Sequence, residues 1–433
     1  MEKILNYING ALVEPNSGNY LDNYNPSNGR VYSLTPDSEK TDVDNAVAAA
    51  KEAFKTWSQT TKQERSDVLM KLADIIEKNK DQLIKAESKD NGKPEKLAAH
   101  VDIPRAPANI RFFAGAILHD SSKAHEMDGQ AINYTLRQPI GVAACISPWN
   151  LPLYLLTWKV APALAAGNTV VAKPSEVTPM TAYLFSKMCI EAGLPKGVLN
   201  IVHGLGSKIG DRLTTHPDTP IVSFTGGTVT GKHIATVTAP MIKKLSLELG
   251  GKNPNIVFAD ADFEKAVSMA ARAAFTNQGQ ICLCGSRIFV EEKIYERFKN
   301  ALIIKTKLLK VGDPKDSGSN LGAVVSKEQM HKILSKIEEA KKLGGKILVG
   351  GNRVILGGDL KDGYYIEPTI IEGLASDCSI NQEEIFGPVA SIIPFKTEED
   401  VIAMANSTKY GLSASIFTEN ISRAHRVAAN IDS

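Results

Sequence analysis

The chain lacks any run of about 18 consecutive apolar residues, the length a membrane-spanning helix requires. Its N-terminus, Met1 to Gly10, has no long apolar core and no cleavage-like site. No signal peptide is read there, and the cytoplasm is the expected compartment. Cysteine is scarce: five in 433 residues, at positions 145, 189, 282, 284 and 378. An odd number at irregular spacing, in a chain too large to need staples, argues against a disulfide framework and fits a reducing compartment. Cys282 and Cys284 are one residue apart, the wrong spacing for a zinc ribbon. The eight histidines form no ligand-like cluster, so no metal is expected. An excess of one charge is missing as well. A net charge of +2 implies no broad basic face and gives nucleic-acid binding no support. Repeats and low-complexity segments are absent. The 43% apolar and 23% charged residues are those of an ordinary globular chain, and its length allows two or three domains.

The apolar periodicity divides the chain. Val43, Ala46, Val47, Ala50, Phe54 and Trp57 recur at helical spacing, as do Leu69, Leu72, Ile75 and Ile76, so 41–117 is predicted to be helical. From 140, short β-branched runs alternate with amphipathic segments. Strands are predicted at 141–146, 169–172, 199–202, 221–224 and 244–247, with helices between them. A second alternating series begins near 254. This pattern predicts an α/β fold with parallel sheets covered on both faces. The segment Ala131–Gln138 reads as a projecting strand outside either sheet.

Several segments carry chemistry. Gly204-Leu205-Gly206 with Gly210 follows a strand and opens a helix, one residue longer than the dinucleotide fingerprint. It could equally be a plain strand-to-helix turn. Phe224-Thr225-Gly226-Gly227 also joins strand to helix, where adjacent glycines let backbone approach a pyrophosphate. Lys173-Pro174-Ser175-Glu176 ends an apolar strand, the place where open α/β sheets bind ligands; a surface Lys–Glu pair is the alternative. Glu248 lies between leucines, where a buried carboxyl would have a raised pKa and suit a general base. Asn150 follows Pro148-Trp149 and would suit an oxyanion donor or the N-cap of the next helix. Cys282 in Gly279-Gln280-Ile281-Cys282 is a candidate nucleophile, with Cys284 as its competitor.

Read in order, these segments, with Leu247-Glu248-Leu249-Gly250-Gly251-Lys252 and Glu384-Ile385-Phe386-Gly387-Pro388, resemble the aldehyde dehydrogenase superfamily. The resemblance covers nearly the whole chain. It implies a Rossmann-like NAD-binding domain (1–118 and 139–250), bridging and oligomerisation strands (119–138) and an α/β catalytic domain (251–433). It implies NAD oxidation of an aldehyde through a Cys282 thiohemiacetal and thioester, with Glu248 as base and Asn150 as oxyanion donor. NAD would be held by Ser147, Pro148, Trp149, Lys173, Ser175, Glu176, Gly206, Gly210, Phe224, Thr225, Gly226, Gly227, Leu249, Gly250, Glu384 and Phe386. The carboxylate of Glu176 would repel a 2′-phosphate and favour NAD over NADP. Where Gly227 stands the family usually has serine, which removes one hydroxyl donor. Superfamily members normally continue beyond Ser433, so a C-terminal segment is expected to be missing from this sequence.

Asp102-Ile103-Pro104-Arg105, the stretch Ser147 to Lys159 and Gly279 to Cys284 look like the branch of 2-aminomuconate and 2-hydroxymuconate semialdehyde dehydrogenases. That implies an acidic semialdehyde, the oxidation of 2-aminomuconate semialdehyde in tryptophan catabolism, and a homo-dimer or homo-tetramer. Arg105 is then the candidate for the substrate carboxylate, with Arg111 as a second choice and an interdomain ion pair as the alternative. Leu151, Tyr154, Leu155 and Trp158 share one helical face and would wall the aldehyde channel or belong to the core. A broad-specificity or retinal-type enzyme, and a catalytically defective binding protein, are the alternatives in function.

Overall fold

Five parallel strands form the centre of the first sheet, in the order Lys244–Glu248, Ile221–Thr225, Val142–Ile146, Thr169–Lys173 and Leu199–Ile201. The structure, a computed structural model, describes residues 1–433. The middle strand is the first of the five in sequence. The chain winds outward to one side of it, then returns to wind outward on the other, which creates a topological switch point beside Val142–Ile146. Helices Pro152–Ala165, Met180–Ala192, Gly206–Thr214 and Thr228–Thr238 make the crossovers. The first of these buries Leu153, Leu156, Val160 and Leu164, one helical stripe. Each such side chain contributes about 1.5–3 kcal/mol relative to exposure, so Leu156→Asp would break this packing.

The sheet is not wholly parallel. Asn6–Ile8 pairs antiparallel with Leu199–Ile201, and Ala11–Val13 extends the edge. These short N-terminal strands have no clear period in the sequence. The predicted helical region holds helices Lys40–Trp57, Lys62–Lys78, Lys80–Asn91 and Ile103–Leu118. Thr61 and Glu64 start the second of these with a reciprocal capping box. A π-helical turn, Ala98–Asp102, leads into Ile103–Leu118, so Arg105 stands in the first turn after it. The predicted projecting strand is Ala131–Tyr134, paired antiparallel with Ala124–Met127 in a hairpin whose strand residues are all exposed.

The second sheet has the order Lys346–Val349, Thr369–Glu372, Val389–Phe395, Arg287–Glu291, Pro254–Val257 and Ser415–Phe417. All its pairings are parallel except that of Lys346–Val349. Helices Phe263–Phe275, Tyr295–Lys307 and Lys327–Lys342 bury apolar stripes from Ala266 to Phe275, Phe298 to Leu302 and Met330 to Ala340. The chain divides into two compact units. One comprises 1–24, 31–90 and 98–248; the other comprises 25–30, 91–97 and 249–433. No helix is long and apolar enough to cross a membrane.

Candidate active site

In the first unit the chemistry-bearing segments emerge at the carboxyl ends of parallel strands. Ser147-Pro148-Trp149-Asn150 follows Val142–Ile146, Pro174-Ser175-Glu176 follows Thr169–Lys173, and Gly226-Gly227 follows Ile221–Thr225. They surround a cavity of 610 Å³. Ser147, Pro148, Trp149, Lys173, Ser175, Glu176, Gly206, Gly210, Phe224, Thr225, Gly226 and Gly227 all line it. The Lys173 ammonium donates to Glu176 Oε2 at 2.8 Å and to the Pro174 carbonyl at 3.1 Å. Burial pushes the Glu176 carboxyl up, but the Lys173 charge and the N–H groups of Glu176 and Gly206 outweigh it and hold the group below its ordinary range. Glu176 is therefore a fixed anionic acceptor. The donor set suits a dinucleotide. Ser147 Oγ and Thr228 Oγ1 are buried with no hydrogen-bond partner in the chain, and no heavy atom lies within 4 Å of where a Cβ on Gly227 would stand. Backbone there is open to a phosphate.

Glu248 ends the strand Lys244–Glu248 at the sheet edge. It is exposed, and so is most of that strand. The burial expected from its flanking leucines is not found, because an edge strand leaves even its apolar side chains half open. Its backbone carbonyl accepts from Gly226 N–H at 3.0 Å, which joins it to the glycine loop. Glu248 also lines a second cavity of 360 Å³, with Lys159, Trp158, Phe113 and Ser223. Lys159, which the sequence reading missed, is buried. It donates to Ser223 Oγ at 3.2 Å. Burial holds its pKa below the ordinary lysine value, against the opposing pull of Cys145 and Glu248.

Asn150 is buried and does not cap the next helix: Leu151 occupies the N-cap position and Pro152 opens the helix. Leu151 is buried, Tyr154 and Leu155 are half-buried, and Trp158 is exposed. Trp158 meets Phe113 edge-on at 5.7 Å and Tyr154 at 6.4 Å. Arg105 is exposed beside them. Its Nη2 donates to Tyr154 Oη at 3.3 Å, and its guanidinium lies 5.2 Å from the Tyr154 ring centre. It has no carboxylate partner. Arg111, by contrast, is bound to Asp74 at 2.7 Å and Glu77 at 2.5 Å.

In the second unit the arrangement is reversed, and the segments precede their strands. Leu249 to Asn253 leads into Pro254–Val257, the Cys282 loop into Arg287–Glu291, and Glu384 to Phe386 into Val389–Phe395. Asn277, Gln278 and Gly279 are all left-handed, at φ 54°, 55° and 68°. This tight coil presents Cys282 half-buried. At Gly279 a Cβ would run into the Gly387 carbonyl, so only glycine fits. The buried Gln280 amide accepts from Val325 N–H at 3.1 Å and pins the coil from behind. Asn253 Nδ2 donates to the Cys282 carbonyl at 2.6 Å and the Cys284 carbonyl at 3.0 Å. Cys284 is half-buried as well, and desolvation pushes its thiol up to about 12.

Glu384 accepts from Gly251 N–H at 3.1 Å. A Cβ on Gly250 would strike the Glu384 carboxylate, and one on Gly251 would lie 2.6 Å from the Cys282 carbonyl. The two glycines thus let three loops meet. Leu249 and Gly250 open this unit and do not line the 610 Å³ cavity. Burial raises the Glu384 pKa. Glu383, its neighbour, points to Lys336 at 2.8 Å. Phe386 takes a left-handed φ of 59°, and its carbonyl accepts from Gln329 Nε2 at 2.7 Å. Arg287 is buried and donates to the carbonyls of Lys252, Met404 and Ala405 at 2.7–2.9 Å. Its role is to hold backbone.

Comparison with known proteins gives the same picture. Residues 12–433 match the model of the aldehyde dehydrogenase family. A 2-aminomuconic semialdehyde dehydrogenase of Mus musculus is 48% identical over 431 residues, 99% of this chain and 88% of the relative. A 2-hydroxymuconic semialdehyde dehydrogenase of a Pseudomonas strain is 44% identical over 438 residues, 100% of this chain and 90% of the relative. Among solved structures, an NAD+ complex of an aldehyde dehydrogenase from Bacillus cereus is 40% identical, with a TM-score of 0.96 over 99% of this chain and 87% of that one.

Proposed function

We propose a substrate class and residue roles for this chain, which belongs to the aldehyde dehydrogenase family and oxidises aldehydes with NAD. Its substrate is an acidic semialdehyde of the 2-aminomuconate type, converted to the dicarboxylate in tryptophan catabolism. The names of the relatives support this class. The observation that carries it here is Arg105, an exposed guanidinium seated on Tyr154 without an acidic partner. Guanidinium offers a carboxylate two parallel donors. Arg111 does not compete, since Asp74 and Glu77 already hold it.

The roles follow from the chemistry. Cys282 is the nucleophile: its thiolate adds to the carbonyl carbon, and the oxygen becomes an alkoxide. Asn150 and the Cys282 backbone N–H donate to that oxygen; removing such a donor costs about 10²–10³ in rate. NAD, when bound, accepts the hydride that leaves the carbon. The carbon is then a thioester on Cys282. Glu248 removes a proton from the water that attacks the thioester, and the acid and free thiol are released. Lys173 and Glu176 would hold the adenosine ribose of NAD, and the Gly226-Gly227 loop its pyrophosphate, at the 610 Å³ cavity. Glu384 would bind the nicotinamide ribose, and Phe386 would pack near the nicotinamide ring. On this reading 1–118 and 139–250 form the cofactor domain, 251–433 the catalytic domain, and the exposed hairpin within 119–138 the assembly surface of a homo-dimer or homo-tetramer. With five free cysteines the enzyme works in the cytoplasm.

A second reading has support of its own. The ring contacts of Phe112, Phe113, Tyr154 and Trp158 suit an apolar or polyene aldehyde. One experiment separates the two. Steady-state NADH production is measured with acidic, aliphatic and polyene aldehydes, for the wild type and Arg105→Ala. The acidic reading expects kcat/KM to fall about 10- to 100-fold for the acidic semialdehyde and much less for neutral ones, the size of one lost charge-assisted contact. Equal losses on all substrates overturn it.

A further inference from the structure

One titratable pair in the 610 Å³ cavity has no part in the roles above. His233 Nε2 lies 2.8 Å from Asp211 Oδ1. Asp211 belongs to helix Gly206–Thr214 and His233 to helix Thr228–Thr238, so the contact spans the gap between the two helices. An ionised carboxylate only accepts, so the imidazole nitrogen is the donor. That fixes the Asp211 side chain across the cavity wall. Its second oxygen, Oδ2, has no hydrogen-bond partner in the chain, and both side chains line the cavity.

The cavity has two chemically different parts. Lys173 and Glu176 supply a charged ribose site at one strand end. From helices Gly206–Thr214 and Thr228–Thr238 the lining takes Val229 and Ile234, which offer apolar surface, and Asp211 and His233, which offer polar groups. A flat base fits apolar walls, and its exocyclic group faces whatever polar group lies at the rim. Adenine carries an amine at C6, a donor. Hypoxanthine carries an oxo group there, an acceptor that a carboxylate repels.

We propose that the Asp211–His233 pair reads the base of the dinucleotide, with Asp211 Oδ2 accepting from the adenine 6-amino group and His233 acting as its positioning residue. The inference rests on the cavity being the NAD site and adds base identity to it. Adenine is selected over 6-oxopurine by a direct contact, in addition to stacking. Asp211 is exposed, so the contact is worth about one ordinary hydrogen bond, roughly five- to tenfold in binding.

The test compares KM and Kd for NAD and for nicotinamide hypoxanthine dinucleotide in the wild type, Asp211→Ala, Asp211→Asn and His233→Ala. The wild type is expected to prefer NAD about five- to tenfold. Asp211→Ala brings the ratio within about twofold. Asp211→Asn does the same or inverts it, because its amide donates to the oxo group. His233→Ala lowers it part of the way. The change falls on KM for the cofactor more than on kcat. Both positions are surface sites where replacements usually alter stability by under about 0.5 kcal/mol, and the two Asp211 variants guard against a folding artefact. An unchanged ratio in Asp211→Ala and Asp211→Asn, with NAD still turning over, overturns the base-reading role alone. Glu176→Gln distinguishes the deeper failure: if it keeps the wild-type KM for NAD, the cavity is not the cofactor site and this inference falls with it.

Discussion

The side-chain amide of Asn253 donates to the backbone carbonyl of Cys282 at 2.6 Å and to that of Cys284 at 3.0 Å. Its own oxygen accepts from Ser413 N–H at 3.2 Å. One side chain therefore ties the Cys282 loop on both sides of Leu283 and anchors it to a third segment. Asn253→Ala removes both donor contacts while leaving the thiol. A shift of about 1 Å in a reacting group can cost about 100-fold, so kcat is expected to fall between about 10- and 100-fold with NAD affinity unchanged. Rapid-mixing measurement of the NADH burst alongside cofactor titration checks this; activity within twofold of wild type means the clamp does not position the sulfur.

Lys159 is the second residue whose function depends on a remote partner. Its ammonium is buried against Ser223 and shares a cavity with Glu248. Burial lowers its pKa, with Glu248 pulling the other way, and on the proposed roles that carboxylate is the base that activates water. Lys159→Met should slow steady-state turnover about tenfold. It should slow single-turnover NADH formation less if Glu248 acts only on the water that attacks the thioester. Equal slowing of both phases would assign Lys159 a structural part.

Arg111 provides the control for Arg105. Its ion pairs with Asp74 and Glu77 lie on the surface, with 37% of the Arg111 side chain exposed. Such pairs are worth about 0–1 kcal/mol. Arg111→Ala should shift the melting point by at most a few degrees and leave the preference among aldehydes as it was. Loss of the acidic substrate in this variant would exchange the roles of the two arginines.

Lys252 sets a pH dependence in stability. It is buried, and burial first, then the Arg287 charge, lowers its pKa to about 7, with Glu384 and Cys378 pulling the other way. Between that value and the ordinary lysine range, the unfolded chain binds the proton and the folded chain does not. Unfolding free energy therefore rises with pH across this window, and the penalty is complete below about 7. A shift of this size corresponds to a few kcal/mol. Urea midpoints from pH 7 to 10 should rise more steeply for wild type than for Lys252→Met. Parallel curves would show that Lys252 keeps its proton in the fold.

Much of this was legible in the sequence, and the exceptions have physical causes. Strands such as Thr169–Lys173 are buried along their whole length and read as continuous apolar runs between helices. The residues that line the 610 Å³ cavity could be picked out because most of them sit at a strand end or in the turn after it. The N-terminal strands were not, being two to seven residues long with mixed polarity. Glu248 was misread as buried because a sequence run does not tell an edge strand from a central one. Trp158 and Leu156 lie two residues apart, yet one is exposed and the other core; periodicity places them on different faces but does not say which face is covered. Lys252 and Lys159 end segments that carry the resemblance and Asn253 follows one, but the residues each meets come from far along the chain.

The proposed reaction passes through a covalent thioester on Cys282. It is tested most directly by mixing the Glu248→Gln variant with NAD and an acidic semialdehyde, quenching in acid, and mapping the protein by mass spectrometry. A stoichiometric acyl adduct is expected on the peptide carrying Cys282, absent without NAD and absent in Cys282→Ala. NADH formation with no adduct at any time, or an adduct on Cys284 instead, would contradict it.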